Sequence, residues 1–192
     1  MNNLHDNKGK SDSEKIILGI DPGTNVMGYG VIMVQMSKIN LIQYGVIKLD
    51  KYEDHFVRLK KIYERVSQLI EEFMPEEMAV EAPFYGQNVQ SMLKLGRAQG
   101  VTIAAAMSKQ IPIVEYAPKK IKQSVTGNGN ASKEQVAAML KNLLKFKDTP
   151  EFLDATDALA AAVCHHYQNG TLSTGKSKSW SSFLKENPDR LK

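Results

Sequence analysis

Residues 16–23 of this 192-residue chain read IILGIDPG, and the course of the chain can be followed outward from them. The apolar run predicts a buried β-strand that ends at Asp21, where Pro22 and Gly23 begin a turn. The apolar pattern resumes over 29–34 and again over 41–49. Because short connections favour antiparallel pairing, we expect the sheet to begin with three antiparallel strands.

The rest of the chain alternates between helical and strand patterns. Apolar residues recur every three or four positions from Phe56 to Phe73, which predicts a long amphipathic helix that Pro75 ends. Two further strands are predicted at 78–81 and 111–115, and four further helices at 89–108, 118–124, 132–146 and 151–168. The order βββαβαβααα predicts an α/β fold, with one mixed sheet and helices packed on it.

Composition and length indicate one globular domain with polar flanks. The chain is 42% hydrophobic and 24% charged, which is ordinary for such a domain. No apolar stretch approaches the roughly 20 residues that span a bilayer, and residues 1–15 lack a secretory signal. The single cysteine, Cys164, suits a reducing compartment, so we expect a cytoplasmic location. We expect 1–15 to be a disordered extension, 16–170 the folded domain and 171–192 a flexible basic tail.

Charge is unevenly distributed along the chain. The net charge is +4, yet residues 117–147 hold seven lysines and one glutamate. Four acids follow within ten residues, at positions 148, 151, 154 and 157. A basic surface beside carboxylates is what a metal-dependent enzyme acting on a phosphodiester needs, although charge runs are also typical of solvated faces.

Four acids are predicted to converge at one end of the sheet. Asp21 closes the first strand, Glu81 closes the fourth, and Asp154 and Asp157 share one helix face. If the first and fourth strands are neighbours, these side chains meet beyond the strand ends. Such oxygen ligands favour Mg²⁺ or Mn²⁺ and can hold two ions about 3.5–4 Å apart. Each acid alone has an ordinary explanation in a turn, a strand end or a helix start, but the four together favour a site.

Four blocks of sequence carry a family pattern: GIDPGT at 19–24 with GYGVI at 28–32, VEAPF at 80–84, LKLGRAQG at 93–100 and DATDALA at 154–160. In this order and spacing they resemble the RuvC family of Holliday-junction resolvases, over about residues 16–168. The resemblance implies a ribonuclease-H-like five-stranded mixed sheet, with three antiparallel strands and then two parallel ones, and helices on both faces. Ala82 and Pro83 depart from the polar residue of many relatives, which alters loop stiffness but removes no acid.

The same resemblance implies a chemistry. Asp21, Glu81, Asp154 and Asp157 would be the catalytic, metal-ligating residues, holding two Mg²⁺ ions for which Mn²⁺ substitutes. The reaction would be hydrolysis by an activated water that leaves a 5′-phosphate and a 3′-hydroxyl. Paired, symmetric nicks would resolve four-way junction DNA in recombination and repair. The expected partners are that DNA, a second copy of the chain and a branch-migration motor.

Further residues match positions at which the family contacts DNA or a second subunit. Phe84 and Tyr85 would contact bases at the junction centre, and Lys122 and Lys133 would contact DNA near the cut. The helix stripe that contains Gly96 and Gly100 would form the homodimer interface. The alternatives left open by the residues themselves are a core aromatic for Phe84 or Tyr85, solvated helix ends for the lysines and intrachain packing for the glycines.

Some features carry no assigned role, and two rival functions can be weighed. His165 and His166 are most simply polar residues near a helix end, and Trp180 has no predicted partner. Sugar kinases and ATPases of the actin-like class share the Asp-x-Gly-Thr turn, but they need two domains and a second glycine-rich site. A junction-binding module without catalysis would have no use for four acids that repel DNA.

Overall fold

The computed structural model describes residues 14–83, 88–146 and 153–172. Across these ranges the element order is β1 Lys15–Asp21, β2 Val26–Gln35, β3 Lys38–Lys48, α1 His55–Phe73, β4 Glu77–Glu81, α2 Val89–Ser108, β5 Ile113–Tyr116, α3 Pro118–Thr126, α4 Lys133–Leu144 and α5 Asp154–Leu172. The predicted order βββαβαβααα is confirmed. In these ranges no helix has the length and apolar character needed to cross a membrane. Nearly all of the expected extension and tail, with Trp180, lies outside the described residues.

The strands form one mixed sheet in the order β3-β2-β1-β4-β5. The pairs β1–β2 and β2–β3 are antiparallel, whereas β1–β4 and β4–β5 are parallel. Gly19 lies opposite Ala79 and Ile20 opposite Val80. Both strands therefore end side by side, at Asp21 and Glu81, so the condition on which the predicted meeting of the acids depended is met.

Each face of the sheet has its own apolar core. On one face Leu18 and Ile20 pack with buried residues of α1 and α2. On the other face Ile17 and Ala79 pack with α3, α4 and α5. Because side chains alternate along a strand, Asp21 and Glu81 point to the face that α5 covers. The prediction of helices on both faces is confirmed.

Helix α5 lies directly on the backbone of β1 and β2. The strand pairing sets Gly19 opposite Gly30 and Asp21 opposite Gly28. A Cβ on Gly28 would overlap the carbonyl group of Asp154, and a Cβ on Gly30 would lie 2.7 Å from the Cα of Leu159. Only glycine permits this close approach, so these positions set the first turn of α5 over the end of β1.

The start of helix α4 is fixed by side-chain hydrogen bonds. The Ser132 hydroxyl accepts a hydrogen bond from the backbone N–H of Gln135, and the Gln135 side chain accepts one from the N–H of Ser132. This capping box satisfies two N–H groups at the helix start. It also makes Lys133 the first residue of the helix.

Candidate active site

Three carboxylates meet where β1 ends under α5. One oxygen each from Asp21, Asp154 and Asp157 lies within 4.8 Å of the others. Asp21 is the last residue of β1, and the other two belong to the first turn of α5. The convergence of these three acids, expected from their positions in the sequence, is present in the structure.

Glu81 stands slightly apart from this three-residue group. Together with Asp21 it lines a cavity of about 130 Å³, which Pro22, Ala82, Pro83 and Leu95 complete. The charges of Asp157 and Asp154 both act on its carboxyl group. Glu81 therefore faces the same small volume as the other acids, from the neighbouring strand.

The acids are partly buried, and their negative charges repel one another. Burial raises the pKa of Asp21 well above its usual range, and the charges of Glu81 and Asp157 raise it further. Burial, with the charge of Asp157, raises the pKa of Glu81 to about 7. Burial also raises the pKa of Asp157, although Lys133 opposes the shift. A cluster of this kind gains stability when cations bind it.

Lys133 brings a positive charge into this cluster. Its Nζ lies 2.5 Å from Oδ2 of Asp157 and 3.3 Å from Oδ1 of Asp154. Burial lowers the pKa of Lys133, but the hydrogen bond to Asp157 and the neighbouring acids outweigh burial and hold it above its usual value. The charge of Lys122, on α3, also lowers the pKa of Glu81 and Asp157. Of the two lysines named from the sequence, Lys133 is bonded to the acids, and Lys122 acts on them through its charge.

The chemistry of the donor set fits a hard divalent cation. The four acids offer carboxylate oxygens, the ligands that Mg²⁺ and Mn²⁺ prefer. Within the described ranges, the grouping suited to a metal ion consists of aspartates, with no histidine or cysteine. This composition does not resemble the nitrogen and sulfur sites that favour zinc.

The remaining predicted residues fall into two sets. Phe84 and Tyr85 lie outside the described residues, so their contact with DNA stays a prediction. Gly96 and Gly100 lie exposed on α2, and a Cβ on either would meet no atom within 4 Å. Leu93 and Met107 are also exposed on α2, by 51% and 65%. In the described part of the chain, intrachain packing therefore does not account for the two glycines.

A second buried polar group, missed by the sequence analysis, lies near the other end of α5. His165 is 1% exposed, and its Nδ1 lies 2.8 Å from the Tyr116 hydroxyl. Its Nε2 lies 2.5 Å from Oε2 of Glu77, which also pairs with Lys15 at 2.7 Å. Eleven residues of helix separate His165 from Asp154, about 16 Å. His165 is therefore remote from the acids.

Comparison with known proteins agrees with this geometry. The family model described as crossover junction endodeoxyribonuclease RuvC matches residues 17–165. A protein of that name from Cytophaga hutchinsonii is 66% identical, over 93% of this chain and 89% of its own length. One from Christiangramia forsetii is 58% identical, over 94% of each chain.

Solved structures give the same result. Thermus thermophilus RuvC in complex with Holliday junction substrate is 32% identical, with a TM-score of 0.76 over 83% of this chain and 97% of that one. Another structure of Thermus thermophilus RuvC is 34% identical, with a TM-score of 0.72 over 81% and 96% of the two chains. The expected ribonuclease-H-like sheet is confirmed by strand order and by these matches. The chain therefore belongs to the RuvC family of crossover junction endodeoxyribonucleases.

Proposed function

We propose that this protein is a structure-selective endonuclease that resolves Holliday junctions by paired, symmetric, metal-dependent nicks in DNA recombination and repair. The observation that carries the proposal is the meeting of Asp21, Asp154 and Asp157 at the end of the sheet, with Glu81 beside them. The Thermus relative that shares this fold is a complex with Holliday junction substrate. The nearby lysines suit a polyanionic substrate.

In this proposal the four acids hold two Mg²⁺ ions, for which Mn²⁺ substitutes. When bound, the ions supply an activated water and stabilise charge on the leaving oxygen. Asp21 and Glu81 hold their carboxylates on rigid strand ends, and Asp154 and Asp157 hold theirs on the first turn of α5. Rigid elements of this kind keep ligands in one geometry. The strand is cut by hydrolysis, which leaves a 5′-phosphate and a 3′-hydroxyl.

The basic and aromatic residues would bind the DNA around the cut. Lys133 already bonds to two of the acids, so a phosphate that enters the site lies within its electrostatic reach. Lys122 would contact the same strand from α3. Phe84 and Tyr85 directly follow the segment that ends at Pro83 on the cavity wall, and we assign them to bases at the junction centre.

A homodimer would place two such sites on one junction. The exposed face of α2, with Gly96, Gly100, Leu93 and Met107, is the surface that we assign to it. Two sites related by a two-fold axis would cut strands of like polarity symmetrically. A branch-migration motor is a further proposed partner, in the cytoplasm. Residues 171–192, with five basic and two acidic side chains, would strengthen non-specific DNA binding.

The experiment compares a labelled mobile four-way junction with a linear duplex of the same sequence, each with Mg²⁺ or EDTA. We expect symmetric, ligatable nicks in the junction alone, lost in EDTA and in Asp154→Asn. Glu71→Gln is the matched control, because Glu71 is an exposed acid paired with Lys109 on another surface. Junction binding without any cleavage would contradict the catalytic part and favour a binding module. Cleavage that persists in Asp154→Asn would contradict the assignment of the acids.

A further inference from the structure

A groove of about 590 Å³ lies at the end of the sheet away from the acids. It is lined by the start of β3, the end of α4 and Tyr167 near the end of α5. Leu41, on its wall, pairs with Ile32 of β2. Ile32 pairs with Ile17 near the start of β1, and Asp21 lies at the other end of that strand. The groove is therefore remote from the acids, and we call it the β3–α4 groove.

Large apolar side chains form one wall of the β3–α4 groove. Ile39, Leu41 and Leu144 are half-buried on this wall. Leu143 and Tyr167 lie beside them and are exposed by 39% and 37%. Apolar side chains on a concave surface are stabilised when another apolar group removes them from water. The groove thus suits an occupant that brings several large apolar side chains.

The rim of the groove is positively charged. Lys38 and Lys145 line it, and the other polar lining residues, Ser37 and Asn40, are uncharged. In the described part of the chain, no acid lines this groove. Complementary charge favours an occupant that carries acids beside its apolar residues.

The sequence after α5 contains a segment of this composition, outside the described residues. Trp180, Phe183 and Leu184 are spaced three and four residues apart, the spacing that puts side chains on one face of a helix. Glu186 and Asp189 follow within five residues, so apolar side chains and acids occur together. These five side chains are not the basic ones to which DNA binding is assigned.

The end of α5 puts this segment within reach of the groove. Tyr167 lines the groove five residues before α5 ends at Leu172, which is about 7.5 Å of helix. Eight further residues lead to Trp180, and eight residues of extended chain span up to about 26–29 Å. This reach exceeds the distance back along the helix. The segment can therefore meet the groove of its own chain.

We propose that residues 180–184 dock in the β3–α4 groove of the same molecule. Trp180, Phe183 and Leu184 cover the apolar wall, and the two acids that follow them lie near the two lysines of the rim. Docking also shields the start of β3, an edge strand whose open side is otherwise available for pairing with another molecule. The inference goes beyond the proposed function and does not depend on it, because the groove is remote from the acids.

The first test uses the fluorescence of Trp180, the only tryptophan of the chain. Full-length wild type is compared with Leu143→Glu, which puts a negative charge on the groove wall. Val57→Glu is the matched control, because Val57 is 40% exposed on α1, which packs on the opposite face of the sheet. Far-UV circular dichroism checks that each protein is folded.

We expect the emission of wild type and of Val57→Glu to be blue-shifted from that of the urea-unfolded chain and protected from quenching by acrylamide. Leu143→Glu should lose both properties, because the charge repels the apolar segment and its acids. Equal quenching in the three folded proteins overturns the proposal. A wild-type spectrum like that of the unfolded chain overturns it as well.

The second test identifies whose segment occupies the groove. Leu143→Cys is combined with Phe183→Cys and oxidised, and Val57→Cys with Phe183→Cys is the control pair. The native Cys164 is buried and does not compete. We expect a disulfide within one chain for the first pair and none for the control, read by mass spectrometry of non-reduced peptides. A disulfide between two chains shows docking on a second copy and overturns the proposal. Cross-linking without preference between the two pairs, or in neither, also overturns it.

Discussion

The two ends of α5 place buried polar groups in opposite surroundings. Towards the C-terminal end, His165 is bonded to Tyr116 and Glu77, and Glu77 to Lys15. At the N-terminal end, Asp154 and Asp157 crowd against Asp21, and Glu81 faces them across a small cavity. Lys133 is the cation bonded to this cluster among the described residues. The buried polar groups towards the C-terminal end are paired within the chain, whereas the acids at the N-terminal end keep an excess of negative charge.

The pKa of Glu77 is shifted in the opposite direction to the pKa values of Asp21 and Glu81. Burial raises the pKa of Glu77, but hydrogen bonds from Lys15 and His165 outweigh burial and hold it below its usual value. At the other end, burial and like charge raise the pKa of Asp21 and Glu81. The satisfied end stabilises the fold, and the acidic end costs stability in the absence of a cation. Unfavourable charge that a fold retains is typical of a functional site.

The largest expected effect is the loss of cleavage in Asp21→Asn. Removing a metal ligand should slow junction nicking by roughly a thousandfold or more. The fold should remain, because the change removes one of several repelling charges, so the unfolding midpoint in EDTA stays the same or rises. The measurement is single-turnover nicking with Mg²⁺, beside urea unfolding in EDTA. Asp50→Asn, in an exposed turn, is the control. Substantial nicking by a folded Asp21→Asn would contradict the account.

His165→Ala should have the opposite effect to Asp21→Asn: it should lower stability and leave junction nicking intact. It removes a fully buried ring and leaves Glu77 and Tyr116 without that partner, which should lower the free energy of unfolding by about 2–4 kcal/mol. Junction nicking at a temperature where the variant is folded should stay near wild type. His166→Ala, at the next and more exposed position, should change stability by less than about 1 kcal/mol. A folded His165→Ala without nicking activity would show that the two ends are not separable.

Lys133→Gln tests the cation at the acidic end. Loss of its bonds to Asp154 and Asp157 should slow nicking by about 10–100-fold, as expected for a side chain that orients metal ligands. Lys141→Gln removes the same charge from the last turn of the same helix and should have little effect. The measurement is the nicking rate over a range of Mg²⁺ concentrations. Equal nicking rates for the two variants would contradict the role assigned to Lys133 in the site.

The acidic end should also give stability a pH dependence in EDTA. Glu81 has a pKa of about 7 in the folded chain, against an ordinary value of 4.5. The folded state therefore binds this proton more tightly, so stability should fall as the pH rises from 4.5 through 7. Urea unfolding at pH 5, 6, 7 and 8 should show a steeper fall for wild type than for Glu81→Gln. Parallel profiles would show that Glu81 does not titrate in this way.

Much of the acidic end could be predicted from the sequence, because local signals mark it. The turn Pro22–Gly23 shows where β1 ends, and the three-residue spacing sets Asp154 and Asp157 on one helix face. The bonds of His165 to Tyr116 and Glu77 could not be found in this way. Glu77 lies in β4, 88 residues away from His165 in the chain.

The most direct test of the central claim is Mn²⁺ binding, followed by electron paramagnetic resonance of the free ion. Wild type, Asp157→Asn and the surface control Glu71→Gln are titrated with and without junction DNA. The account predicts two ions per chain in the complex with DNA for wild type and for Glu71→Gln. It predicts at least tenfold weaker binding for Asp157→Asn. Equal Mn²⁺ affinity in all three proteins would contradict the claim that these carboxylates form the metal site.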